Sequence, residues 1–154
     1  MRFLSKFLLE VILVKILFVC SGNTGRSPMA QFVMQKLIDD AGLSGKISVA
    51  SAASKPTEGG KLHEGIAAKL REENIPYGEH TARQITPADY AENNLIICMD
   101  AGNVEQVKAI VGGDPDEKIS MILDKDIPWD KTGFATTYAD ILRGCQALLK
   151  KLRM

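Results

Sequence analysis

The chain of 154 residues is poor in the residues that most often announce a cofactor or a covalent framework. It has two histidines, three cysteines and one tryptophan, and no excess of either charge, with Lys+Arg and Asp+Glu both at 19. The cysteines, Cys20, Cys98 and Cys145, are odd in number, widely spaced and without a Cys-x2-Cys pair. That pattern argues against a disulfide framework and a structural zinc site, and for a reducing compartment. No His, Cys or Asp cluster has ligand spacing, so neither a metal nor a cofactor is expected. No basic stripe marks nucleic acid as a partner. No P-loop lysine follows the glycine-rich stretch, which removes a nucleotide site. What remains is ordinary for a globular chain: 45% hydrophobic and 25% charged residues, in a length that suits one domain with its own core.

The N-terminal stretch "MRFLSKFLLEVILVKILFVC" carries two early basic residues and a long apolar run. Glu10 and Lys15 interrupt that run, no small-residue cleavage site follows, and the uninterrupted part is too short to span a bilayer. The expectation is a cytoplasmic protein without membrane contact. Residues 1–13 read as an extension, either an extra helix or strand or an over-extended start. Residues 14–154 read as the domain proper.

Apolar, strand-like runs then alternate with helical patterns. Residues 12–19 resemble a strand buried on both faces. Ser27 as N-cap and Pro28 as first helical residue predict a helix to about Ala41, where Gly42 stops it. "KISVAS" (46–51), "LIICMD" (95–100) and "KISMIL" (118–123) predict three more strands. Residues 61–74 predict an amphipathic helix through Leu62, Ile66 and Leu70, and another helix is expected up to Val111. In the last helix Tyr138, Ile141, Leu142, Cys145, Leu148, Leu149 and Leu152 share one face. This alternation predicts an α/β fold: a single-domain, doubly wound, four-stranded parallel sheet with helices on both faces. Ligands in such sheets bind beyond the carboxyl ends of the strands, where Cys20 and Asp100 fall.

The stretch "VCSGNTGRSP" (19–28) carries the chemistry. Cys20 and Arg26 are spaced Cys-x5-Arg after the first strand, and the loop between them leads into a helix N-terminus. Backbone N–H groups of Ser21, Gly22, Asn23, Thr24 and Gly25 turned toward one centre make an anion cradle. The Arg26 fork holds two oxygens of a phosphate there. A thiol at the floor of that cradle lies in a positive field that favours the thiolate, the form that attacks phosphorus in line. Taken alone the spacing is weak, and a cysteine after a buried strand is most often a small core residue. The combination of strand, Cys, two Gly, Arg-Ser-Pro and helix is far more specific.

With these residues in view, the sequence resembles the low-molecular-weight protein tyrosine phosphatases from about Lys15 to Leu152. "SAAS" (51–54), "HTARQIT" (80–86), "LIICMD" with Asn103, "GGDP" (112–115) and the segment 134–138 follow the loop in the family's order. The resemblance implies a phosphatase acting on phosphotyrosine in proteins, with Cys20 as nucleophile, a phosphocysteine intermediate, and Arg26 as phosphate and transition-state clamp. It implies that Ser27 steadies the thiolate and that Asn23, Ser51 and His80 support the loop. Its partners would be a phosphorylated protein and inorganic phosphate or a similar anion, with the chain a monomer or weak dimer.

Two departures from the family stand out. The residue before the arginine is Gly25 rather than a second cysteine, so a protective disulfide to Cys20 is missing. Over-oxidation of Cys20 is then the expected lesion. The family's general acid precedes a Pro-aromatic pair, and here "LDKDIPWDKTGF" (123–134) puts Ile127 before Pro128 and Trp129. Asp126, brought in by a one-residue shift in a mobile loop, is the expected acid, and Asp130 the second candidate. Trp129 is expected to form a substrate wall. Cys98 and Cys145 read as core residues and His63 as an exposed position on a helix. Thr24 keeps a protein-arginine phosphatase as an alternative. Ile127 keeps open a phosphate-binding module with weak turnover.

Overall fold

The run VKILFVC forms the central strand, and its alternating side chains build both halves of the core. The computed structural model describes residues 13–56 and 58–153. Most of the expected extension at residues 1–13 therefore lies outside the described residues. In chain order the elements are β1 (Val14–Cys20), α1 (Arg26–Asp40), β2 (Ile47–Ala53), α2 (Glu64–Glu72), α3 (Pro87–Glu92), β3 (Leu95–Cys98), α4 (Ala101–Val111), β4 (Ile119–Met121) and α5 (Ala135–Leu152). All strand pairs are parallel, in the order β2-β1-β3-β4. The doubly wound, four-stranded sheet expected from the alternation is therefore present.

On one face Ile16, Phe18 and Cys20 of β1 pack against Met29, Val33 and Ile38 of α1 and Ile141, Cys145 and Leu149 of α5. On the other, Leu17 and Val19 pack with Ile85, Ile96, Cys98 and Val107. Residues 16–19 are at most 1% exposed, and each large side chain among them contributes about 1.5–3 kcal/mol by leaving water. This double burial explains why β1 reads as a continuous apolar run instead of an alternating one. It also fixes rigidly the strand end from which the Cys20 loop departs.

Several boundaries differ from the sequence-based expectation, each for a local reason. The first helix begins at Arg26 with Gly25 as N-cap, so Ser27 and Pro28 lie within its first turn. Proline removes no intrahelical bond there, because the first N–H groups of a helix have no partner inside it. Ser27, released from capping, turns its hydroxyl to Cys20 instead. Strand β2 runs on to Ala53 because its ladder with β1 continues to the Cys20–Ala53 pair. Helix α2 is shorter than residues 61–74 and starts after His63, which is its N-cap rather than a residue on the helix. The six-residue α3 escaped the periodicity argument because it is too short to show a period. Its capping box, Thr86 with Asp89, and Pro87 at the start were the available signals.

Candidate active site

The loop from Cys20 to Arg26 closes around the Cys20 sulfur. Sγ lies 3.0 Å from Ser27 Oγ and accepts the N–H groups of Asn23 and Ser27 at 3.3 and 3.4 Å. Two backbone N–H groups and the Ser27 hydroxyl thus converge on one sulfur. The loop sits on the N-terminus of the 15-residue α1, whose free N–H groups add a positive field.

Asn23 holds this shape. Its φ of 57° is in the left-handed region, which asparagine tolerates better than most residues. It is fully buried, and each of its polar side-chain atoms is bonded. Nδ2 donates to Ser27 Oγ at 2.9 Å and to Ser51 Oγ at 3.0 Å, and Oδ1 accepts the Arg83 N–H at 3.1 Å. Ser51 in turn donates to Gln31 Oε1 at 2.7 Å. The Asn23 carbonyl lies 2.6 Å from His80 Nε2. The resemblance pointed to Asn23, Ser51 and His80 as loop supports, and the structure brings all three together. Sequence reasoning did not anticipate Arg83 or Gln31. The Arg83 guanidinium forks onto Asp89 at 3.1 and 3.0 Å and ties this segment to α3. Burial pushes the Asp89 carboxyl up, but the Arg83 fork and the Thr86 N–H outweigh it and hold it below its ordinary value.

Arg26 is 7% exposed. Its Nη1 donates to Asp100 Oδ2 and to the Ile127 carbonyl, both at 2.8 Å. Both contacts fall on one nitrogen, so the rest of the fork is left to meet an anion. Asp100 also caps α4, accepting the Asn103 N–H at 2.7 Å. Asn103 Nδ2 donates to Ser21 Oγ at 3.1 Å, fastening the near end of the loop.

Above the sulfur is a cavity of about 330 Å³ lined by residues 20–26 and Trp129. Trp129 packs on Gly25, where a Cβ would come within 2.7 Å of indole Cη2. His63 meets Trp129 edge to face at 5.2 Å between ring centroids and Phe134 at 5.4 Å. Its Nδ1 accepts the Gly65 N–H, and its backbone N–H donates to the Thr24 carbonyl at 2.9 Å. His63 is exposed, as expected, but it also braces the loop and the tryptophan. The signal for it was its place just before a helix, where a side chain can cap.

The structure does not bring Asp126 or Asp130 to the cavity. Asp126 is exposed, and its Oδ1 accepts the Ala101 N–H at 2.9 Å at the start of α4. A one-residue shift that would redirect it meets a fixed register. Ile127 is fully buried, donates its N–H to the Met99 carbonyl at 2.9 Å, and gives its own carbonyl to Arg26. Asp130 accepts the Thr132 N–H and hydroxyl, which hold its carboxyl below the ordinary value.

Cys98 and Cys145 are fully buried core residues. Burial, with the Asp100 and Cys20 charges nearby, pushes the Cys98 thiol up to about 12, and burial alone pushes Cys145 up as well. Among the described residues no three His, Cys, Asp or Glu side chains gather closely enough to hold a metal ion. No helix among them is long and apolar enough to cross a membrane.

A family model described as low molecular weight phosphotyrosine protein phosphatase matches residues 15–154. The chain is 32% identical to the low molecular weight protein-tyrosine-phosphatase YfkJ of Bacillus subtilis, over 92% of this chain and 97% of that one. The solved structure of YfkJ superposes with a TM-score of 0.87, covering 92% of this chain and 95% of the other. The human low molecular weight phosphotyrosine protein phosphatase is 34% identical over 88% of this chain and 94% of its own. Wzb of Vibrio vulnificus, solved with benzylphosphonate, matches at 28% identity and a TM-score of 0.79, over 90% of this chain and 99% of that one.

Proposed function

The chain belongs to the low molecular weight phosphotyrosine protein phosphatase family and is a hydrolase of protein phosphotyrosine; from that premise we propose that it works through a phosphocysteine formed on Cys20. The observation that carries this reading is the Cys20 sulfur itself, at the floor of a cavity with the hydroxyl of Ser27 and two N–H groups directed at it.

A phosphate seated in the loop meets the backbone N–H groups of Ser21, Gly22, Thr24 and Gly25 and the free edge of the Arg26 fork. The thiolate of Cys20 attacks phosphorus in line. The S–P bond forms, the P–O bond to the tyrosine ring breaks, and the electron pair leaves with the phenolic oxygen. Charge accumulating on the equatorial oxygens is met by groups already in position, so little reorganisation is needed as the transition state forms. Water then attacks phosphorus, its oxygen forms a new P–O bond as the S–P bond breaks, the electron pair returns to sulfur as the thiolate, and inorganic phosphate leaves carrying the water's protons.

Ser27 steadies the thiolate, Asn23, Ser51 and His80 keep the loop in shape, and Trp129 supplies a flat wall for the ring. Its edge-to-face and tilted contacts with His63 and Phe134 hold that wall upright. Residues 14–154 form the catalytic domain in this reading. Three free thiols suit a reducing compartment, which supports a cytoplasmic site of action.

The test is phosphate release from a phosphotyrosine peptide by the wild type beside Cys20→Ser. Turnover lost in the variant supports the assignment, and turnover that persists removes Cys20 from the mechanism.

A further inference from the structure

We infer that this site transfers the phosphoryl group without a carboxylate to protonate the departing oxygen, and therefore selects aryl phosphates whose oxygen leaves readily as an anion. The inference rests on the proposed role of Cys20.

An oxygen leaving phosphorus needs either a proton delivered as the bond breaks or enough acidity to depart as an anion. A positioned acid contributes about 10²–10⁴-fold to the first route. Among the described residues, the cavity wall consists of residues 20–26 and Trp129, and holds no Asp, Glu or His. Each nearby titratable group has another task. Asp100 is taken by Arg26 and by the cap of α4. His80 Nε2 is bonded to the Asn23 carbonyl, and His63, whose Nδ1 accepts the Gly65 N–H, stands behind Trp129 and does not line the cavity. Asp126 closes the first turn of α4 through Ala101, and Asp130 closes its own turn with Thr132.

The segment that carries both aspartates is also held from three sides. Ile127 is bonded through its N–H to Met99 and through its carbonyl to Arg26, and its side chain is sealed in the core. A one-residue register shift that put Asp126 in the place of Ile127 would break both bonds and expose the Ile127 side chain. The residue that points from this segment into the cavity is Trp129, which offers a flat surface and no carboxylate. In the transfer step the S–P bond forms, the aryl P–O bond breaks, and the phenolate takes its proton from water after it departs. A lower leaving-group pKa therefore speeds the step directly.

The experiment uses the full chain and a series of substituted phenyl phosphates. The series runs from 4-nitrophenyl to unsubstituted phenyl, whose oxygen resembles tyrosine at about 10. The expected result is a steep fall of kcat/KM along the series, by about 100-fold or more, the size of the contribution a positioned acid would have made. Asp126→Asn and Asp130→Asn should leave that slope unchanged. A level kcat/KM across the series, a slope that steepens in either variant, or no turnover of any member would overturn it. Cys20→Ser separates the two readings: turnover of 4-nitrophenyl phosphate surviving in that variant contradicts the nucleophile itself, whatever the slope.

Discussion

Trp129 rests on the bare Cα of Gly25, so the cavity wall and the phosphate loop fit together only because residue 25 has no side chain. Gly25→Ala should push the indole off the loop. Trp129 is the one tryptophan of the chain, so its fluorescence reports this site alone. The emission should shift to the red, and KM for aryl phosphates should rise by roughly 2–10-fold, matching the 0.5–1.5 kcal/mol of an aromatic contact. An unchanged emission would mean that the indole does not depend on this seat.

Asn23 combines a left-handed backbone with three side-chain bonds to other residues, and the two demands are separable. Asn23→Gly keeps the conformation and loses the bonds, whereas Asn23→Ala loses both. Both variants should melt earlier, by about 1–3 kcal/mol for the stranded buried partners. Alanine should be worse by about 1 kcal/mol for the strained φ. Equal melting of the two variants would contradict a conformational role for residue 23.

Asp89 couples α3 to the segment that supports the loop. Its folded pKa is depressed, so its stabilising contribution is present above the unfolded value of about 3.9 and is lost as pH falls through the lower folded value. Asp89→Asn should cost about 1–3 kcal/mol at neutral pH, and the gap to wild type should begin to narrow as pH falls below about 4. Thermal melts of both proteins from pH 7 to pH 3 test this. A gap that stays constant through that window would show that the carboxylate's charge is not what Arg83 and Thr86 hold.

The three thiols should differ sharply in reactivity. Burial pushes Cys98 up to about 12 and raises Cys145 too, while Cys20 lines the cavity. Brief iodoacetamide treatment at neutral pH should label Cys20 alone, and inorganic phosphate should slow the labelling. Mass mapping of the adducts reads both effects. Labelling of Cys98 or Cys145 in the folded protein would contradict their core placement.

The contrast between the loop and the segment around Ile127 shows where sequence reasoning worked and where it stopped. Residues 19–28 were legible because strand, loop and helix N-terminus are consecutive, and their chemistry depends on short-range spacing. The central strand was legible because burial on both faces leaves a continuous apolar run. The starting point of α1 was missed because Ser27 looks like a cap but bonds to the thiol across the loop. Asp126 could not be placed from its position near Pro128. Its bond is to Ala101, 25 residues back, and the register beside it is set by Met99 and Arg26. His63 escaped for the same reason: its contacts with Trp129 and Phe134 exist only after the chain has folded.

The central claim is that Cys20 carries the phosphoryl group between substrate and water. Rapid denaturing quench of the full chain during turnover of a phosphotyrosine peptide, followed by mapping of the modified residue, tests it most directly. The account predicts a phosphate on the sulfur of Cys20 in the wild type and none in Cys20→Ser. Turnover with no phosphate on Cys20 at any quench time, and undiminished turnover in the variant, would contradict it.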